Sequence, residues 1–118
     1  MFSDMWIKDK QKIIETFPDG SSKLIHITKN IIGNSYITRS IEFWEKDKIK
    51  YDKQYKNGRP EGKQLFYSQT GKKTEQWIKN GKRDGIYSQW NENGNLILKE
   101  KWNNGKRINI IFKQEDTP

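Results

Sequence analysis

Asn-Gly recurs at 57–58, 80–81, 93–94 and 104–105 of this 118-residue chain, and the recurrence has a period. Gly58 and Gly81 are 23 residues apart, as are Gly62 and Gly85, Gly71 and Gly94, and Tyr67 and Trp90; Gly81 to Gly105 is 24, one residue inserted in the final strand. Asn and Gly both tolerate positive φ, which suits the tight turn that matches the twist of paired strands. Twenty-three residues accommodate two strands of about six residues and two turns, and are too few for the helix pairs of longer repeat families. The segments between the turns, such as "KQLFYSQ", "KTEQWIK", "IYSQWNE" and "LILKEKW", are rich in aromatic and β-branched residues and carry no 3.6-residue stripe.

The expectation is therefore an all-β domain over 1–118: an antiparallel meander of about eight strands made of hairpin repeats. Residues 1–42 form an N-terminal β-rich segment, 43–107 the repeats, with "FWEKDKIKYDKQYKNG" as a worn first copy, and 108–118 a last strand and tail. For residues 5–16 a short helix is the alternative to a strand. If Asn93-Gly94 is a two-residue turn, Trp90 pairs with Ile97. One face then carries Ile86, Ser88 and Trp90, and the other Tyr87, Gln89 and Trp102. The same logic at Thr70-Gly71 sets Leu65, Tyr67 and Ile78 against Phe66 and Trp77. Neither face is cleanly polar. Two arrangements fit: a single twisted layer with partly exposed aromatics, or a sheet covered on one side by the Ile-rich N-terminal segment.

The run "NGRPEGKQLFYSQTGKKTEQWIKNGKRDGIYSQWNENGNLILKEKWNNG", Asn57 to Gly105, resembles the MORN-repeat variant family over roughly half the chain. Residues 1–42 lie outside the resemblance, and Asn109 stands where Gly62 and Gly85 stand in earlier copies. Bacterial members of that family are often described as antitoxins or immunity proteins, so the resemblance implies a protein that binds and inhibits a toxin or another enzyme. For eukaryotic members it implies contact with anionic lipid.

Composition narrows the chemistry. There is no cysteine, hence neither disulfides nor thiolate metal ligands, and no apolar run approaches the ~18 residues of a membrane span. "MFSDMWIKDK" lacks the order of a signal peptide, which makes a cytoplasmic protein the expectation. His26 is the lone histidine, and no nucleophile, phosphate-loop or metal-ligand spacing is visible; no catalytic residue, metal or cofactor is assigned.

The charge is +8, of which 12 Lys and Arg against five acids in 55–107 supply +7. The 19 Lys, 16 Ile and absence of Ala and Val also fit an A/T-rich coding sequence, under which the charge is compositional. Arg59, Arg83 and Arg107 nevertheless follow successive Asn-Gly turns, with Lys82 and Lys106 beside two of them. Equivalent loops of a stacked array fall on one edge, which makes these five a basic row suited to an acidic partner. Tyr67, Trp77, Trp90 and Trp102 are the candidate aromatic contacts. Nucleic acid and anionic lipid are the alternative partners, and open sheet edges invite pairing between copies.

Overall fold

The computed structural model describes residues 8–115, and every regular element among them is a strand. The strands are β1 (Lys8–Thr16), β2 (Ser22–Ile31), β3 (Asn34–Glu45), β4 (Lys48–Lys56) and β5 (Arg59–Tyr67), followed by β6 (Lys73–Lys79), β7 (Lys82–Arg83), β8 (Gly85–Trp90), β9 (Leu96–Asn103) and β10 (Lys106–Lys113). They form one antiparallel sheet in chain order, with the two-residue β7 paired to the end of β6. The meander has ten strands rather than about eight, in part because Asp84 interrupts the ladder and splits β7 from β8. Residues 8–16 are a strand, not a helix; the rest of the 5–16 segment lies outside the described residues.

The sheet is a single layer, and its strands make their main contacts with their neighbours in this order. The Ile-rich N-terminal segment extends the sheet instead of covering it. A compact 118-residue domain has a radius of gyration of about 13.5 Å; this one has 16.9 Å, over 50 × 39 × 23 Å. Layered domains bury apolar faces between elements. Here Ile25, 9% exposed, is the only hydrophobic residue buried among those described, whereas Ser40, Gln64, Ser88 and Glu100 are buried in mid-strand.

What replaces a second layer is a set of long basic side chains laid over aromatic rings. Lys53 Nζ sits 4.3 Å from the Tyr51 ring centre and 5.5 Å from that of Phe66. Lys73 lies between Tyr67 and Trp90, at 5.9 and 4.8 Å. The Arg83 guanidinium lies between Tyr87 and Trp102, at 4.1 and 4.5 Å. Cation–π contacts of this kind occur roughly once per 70–80 residues in ordinary proteins. Three double contacts in one sheet mark them as its packing: apolar stems shield the rings while the charged ends reach water.

Glycine turns of two types mark the two rims, and the β3–β4 turn at Lys46-Asp47, with Asp47 at φ +60°, belongs to neither. On one rim, Ile32-Gly33, Asn57-Gly58, Asn80-Gly81 and Asn104-Gly105 have positive φ at both positions, the two-residue hairpin turn. On the other, three-residue loops close with Gly20, Gly71 and Gly94. In each, the glycine N–H donates back three residues, to Phe17, Ser68 or Asn91. Asn93-Gly94 thus belongs to the second type, with Gly94 alone at positive φ.

This corrects the expected pairing. Trp90 pairs with Leu96 rather than Ile97, and Tyr67 with Lys73. Since one residue of register exchanges the faces, Trp77 joins Leu65 and Tyr67, and Ile78 joins Phe66. In β9 an extra residue, Ile97, is bulged between the Gln89–Leu98 and Trp90–Leu96 pairs. It is the inserted residue that makes the last interval 24. The bulge restores Ser88–Lys99 and Gln89–Leu98 pairing and leaves the expected faces of β8 intact.

Candidate partner-binding rim

The rim with the two-residue turns is tied from turn to turn by carboxylates. The Glu61 Oε1 accepts the N–H of Asn80 at 3.0 Å, and the Asp84 Oδ2 accepts the N–H of Asn104 at 3.1 Å. Each acid thereby fixes the position of the following turn. Glu61 and Asp84 are the residues before Gly62 and Gly85, so "NGRPEG" and "NGKRDG" encode the tie. In the sequence both enter only among the five acids of 55–107; their shared place just before the repeat glycine was the available signal. Gly62 is needed where it stands. At φ +91° a Cβ would lie 2.5 Å from the Gln54 Oε1, which itself accepts the Lys63 N–H at 2.9 Å.

The five cations of the expected row all belong to this rim, but they divide into two groups. Arg83 is drawn onto the sheet between Tyr87 and Trp102, and its Nε donates to Gln76 Oε1 at 3.1 Å. Arg107 is held by Glu100, 5% exposed, whose Oε2 accepts from Nη1 at 3.1 Å and whose Oε1 accepts from Trp102 Nε1 at 2.9 Å. Both arginines are struts. Arg59, Lys82 and Lys106 are exposed and make no ion pair among the described residues.

The four candidate aromatics do not share a face. Pairing puts Tyr67, Trp77 and Trp90 on one side, and Trp102, opposite Gly85 and in line with Tyr87, on the other. Trp77, 40% exposed, is the most accessible of the four. Tyr67, Lys73 and Trp90 border a shallow depression of about 330 Å³ with Gly71, Asn91 and Gly94.

A larger hollow of about 790 Å³ lies over β1–β5 near the same rim, with Ile27, Ile31, Tyr36, Ile37 and Tyr55 among its walls. At its margin Arg39 grips Asp52 with both guanidinium arms, Nε to Oδ1 at 2.7 Å, and that bond raises the arginine further above its ordinary range. Burial pushes the phenols of Tyr55 and Tyr67 up. On the opposite rim, the side chain and backbone of Ser21 hold the Asp19 carboxyl below its usual value. His26 pairs across the sheet with Lys12 and Ser40. Among the described residues no three His, Asp or Glu side chains gather, and no helix is long and apolar enough to cross a membrane.

Compared with known proteins, the chain matches no family model, no curated protein and no solved structure.

Proposed function

We propose that this chain is a non-catalytic protein-binding module whose basic rim meets an acidic surface on a partner protein. The observation that supports this reading is the arrangement of Arg59, Lys82 and Lys106, which stand exposed and without an ion pair among the described residues on three hairpins tied to one another by Glu61 and Asp84. A sheet ordered before contact loses little conformational entropy on binding. A fixed line of cations raises the encounter rate with an acidic surface. Arg83 and Arg107 serve by holding the rim, and Trp77 is the aromatic placed to touch a partner. The repeat resemblance carries the remaining step, an antitoxin or immunity role in which the partner is a toxin or another enzyme.

The test begins with recovery of the partner from the native host by cross-linking and mass spectrometry. Arg59→Glu, Lys82→Glu and Lys106→Glu together are expected to slow association about tenfold at low salt, with the deficit shrinking as salt rises. An association rate equal to wild type would remove the rim from the mechanism. A nucleic-acid partner is the weaker reading. The ring faces of Tyr51, Phe66, Tyr67, Tyr87, Trp90 and Trp102 already carry Lys or Arg and leave little open surface for stacking bases. Tight, steeply salt-dependent capture of a labelled oligonucleotide at ~50 mM salt would reverse that ranking.

A further inference from the structure

Three of the four two-residue turns on the rim place Asn in the left-handed position, and the fourth places Ile32 there, at φ +48°. For a β-branched residue that region is a true outlier, because the side chain crowds the backbone. Ile32 is also 78% exposed, so packing within the chain does not compensate the strain. Strained backbone of this kind clusters at binding and switch sites. Its surroundings supply the second observation. Ile31 and Tyr36, 39% and 43% exposed, flank the turn and also line the 790 Å³ hollow. An exposed aliphatic tip therefore stands beside a depression of mixed apolar and charged lining on the same chain.

We propose that the Ile32 tip seats in the β1–β5 hollow of a second copy of this chain, and reciprocally, around a two-fold axis beside the β2–β3 turn. The occupant is a second copy for two reasons. Tip and hollow adjoin one another, so one rotation satisfies both at once and closes the assembly as a dimer. The charges around the hollow are also balanced: Lys29 and Lys56 stand with Asp9 and Glu61, and Arg39 is neutralised by Asp52. Two chains of +8 repel over most of their surface; here both signs are present beside the apolar side chains of Ile27, Ile31, Tyr36, Ile37 and Tyr55. Tip and hollow lie at the β1–β5 end of the same rim, away from Lys82 and Lys106, and the proposal does not rest on the acidic-partner reading.

Sedimentation equilibrium of the full chain over roughly 1–200 µM tests it. The wild type is expected to show a concentration-dependent monomer–dimer equilibrium. Ile32→Asn, which installs the residue of the sister turns, is expected to weaken that equilibrium about tenfold or more through loss of a buried aliphatic side chain. The same variant should raise the thermal midpoint of the monomer, since the strain is relieved. Tyr36→Ser should weaken the dimer without the rise in midpoint. Gln69→Ala, on an exposed loop of the opposite rim, should leave the dimer unchanged. A wild type that stays monomeric throughout, or an Ile32→Asn variant that dimerises as well as wild type or melts lower, overturns the proposal.

Discussion

Gly62 shows how much of the fold rests on single residues. Gly62→Ala would hold an L-residue at φ +91° and press its Cβ against the Gln54 Oε1. It is expected to destabilise the chain by about 1–3 kcal/mol, read from urea unfolding. Removing the clash with Gln54→Ala should recover only part of the loss, because the backbone conformation remains. Tyr55 and Tyr67 give a pH prediction with a definite sign. Their phenols are raised, so the folded state favours the neutral form. That stabilisation is complete below the ordinary tyrosine pKa of about 10 and is lost as pH rises through the higher folded values. Absorbance titration near 295 nm should therefore find two late phenols and a stability that falls in the same interval. At this scale the sequence was legible for glycines and turn asparagines, whose roles are local. It was opaque for Arg83, Arg107 and Glu100. "Arginine after Asn-Gly" describes Arg59, which is exposed, and Arg83, which lies between two rings. Only the positions of Tyr87 and Trp102 on neighbouring strands separate the cases.

Element registers depend on which turn an Asn-Gly makes. The dipeptide at 93–94 looks identical to that at 80–81, but Asn91 decides the outcome: its side-chain oxygen accepts the N–H groups of Asn93 and Asn95, both at 3.0 Å, and opens a three-residue loop. The signal was therefore present in "NENGN", two residues outside the dipeptide, and Ser68 does comparable work by accepting the Lys72 N–H at 3.0 Å. Missing it sent Trp77 to the wrong face, whereas the Ile97 bulge returned β8 to its expected one. Deleting Ile97 should accordingly be tolerated. Trp90–Leu96 and Gln89–Leu98 become consecutive pairs, and cross-strand nuclear Overhauser contacts between them should survive. Deleting Gln76 from the regular β6 should instead exchange Trp77 and Ile78 between faces and abolish cooperative unfolding. Trp102→Ala removes both a ring over Arg83 and the Nε1 donor to Glu100. It should cost about 2–3 kcal/mol, whereas a purely partner-facing tryptophan would leave stability unchanged.

As a whole molecule the protein is an open sheet with two unlike edges. β1 carries Asp9, Lys10 and Lys12, a charged edge of the kind that resists strand addition. β10 exposes Ile108, Ile110, Ile111 and Phe112 at 38–56% and is guarded by bulges at Ile108 and Ile111. Heating should therefore aggregate the protein through β10, and Ile110→Lys should raise the onset temperature in light scattering without disturbing the strand circular-dichroism signal. The period of 23 and the turn residues made the meander readable. The absence of a second layer was one of two arrangements the sequence left open. The net charge was ambiguous because the same lysines serve as packing, a use that composition does not register. The ties from Glu61 to Asn80 and from Asp84 to Asn104 have a last consequence. Each module pairs with its immediate neighbours alone, so whole 23-residue units can be spliced in or out in phase, lengthening or shortening the array by about 10 Å per step. The reach of such a sheet is a quantity set by copy number, adjustable without redesigning a single strand.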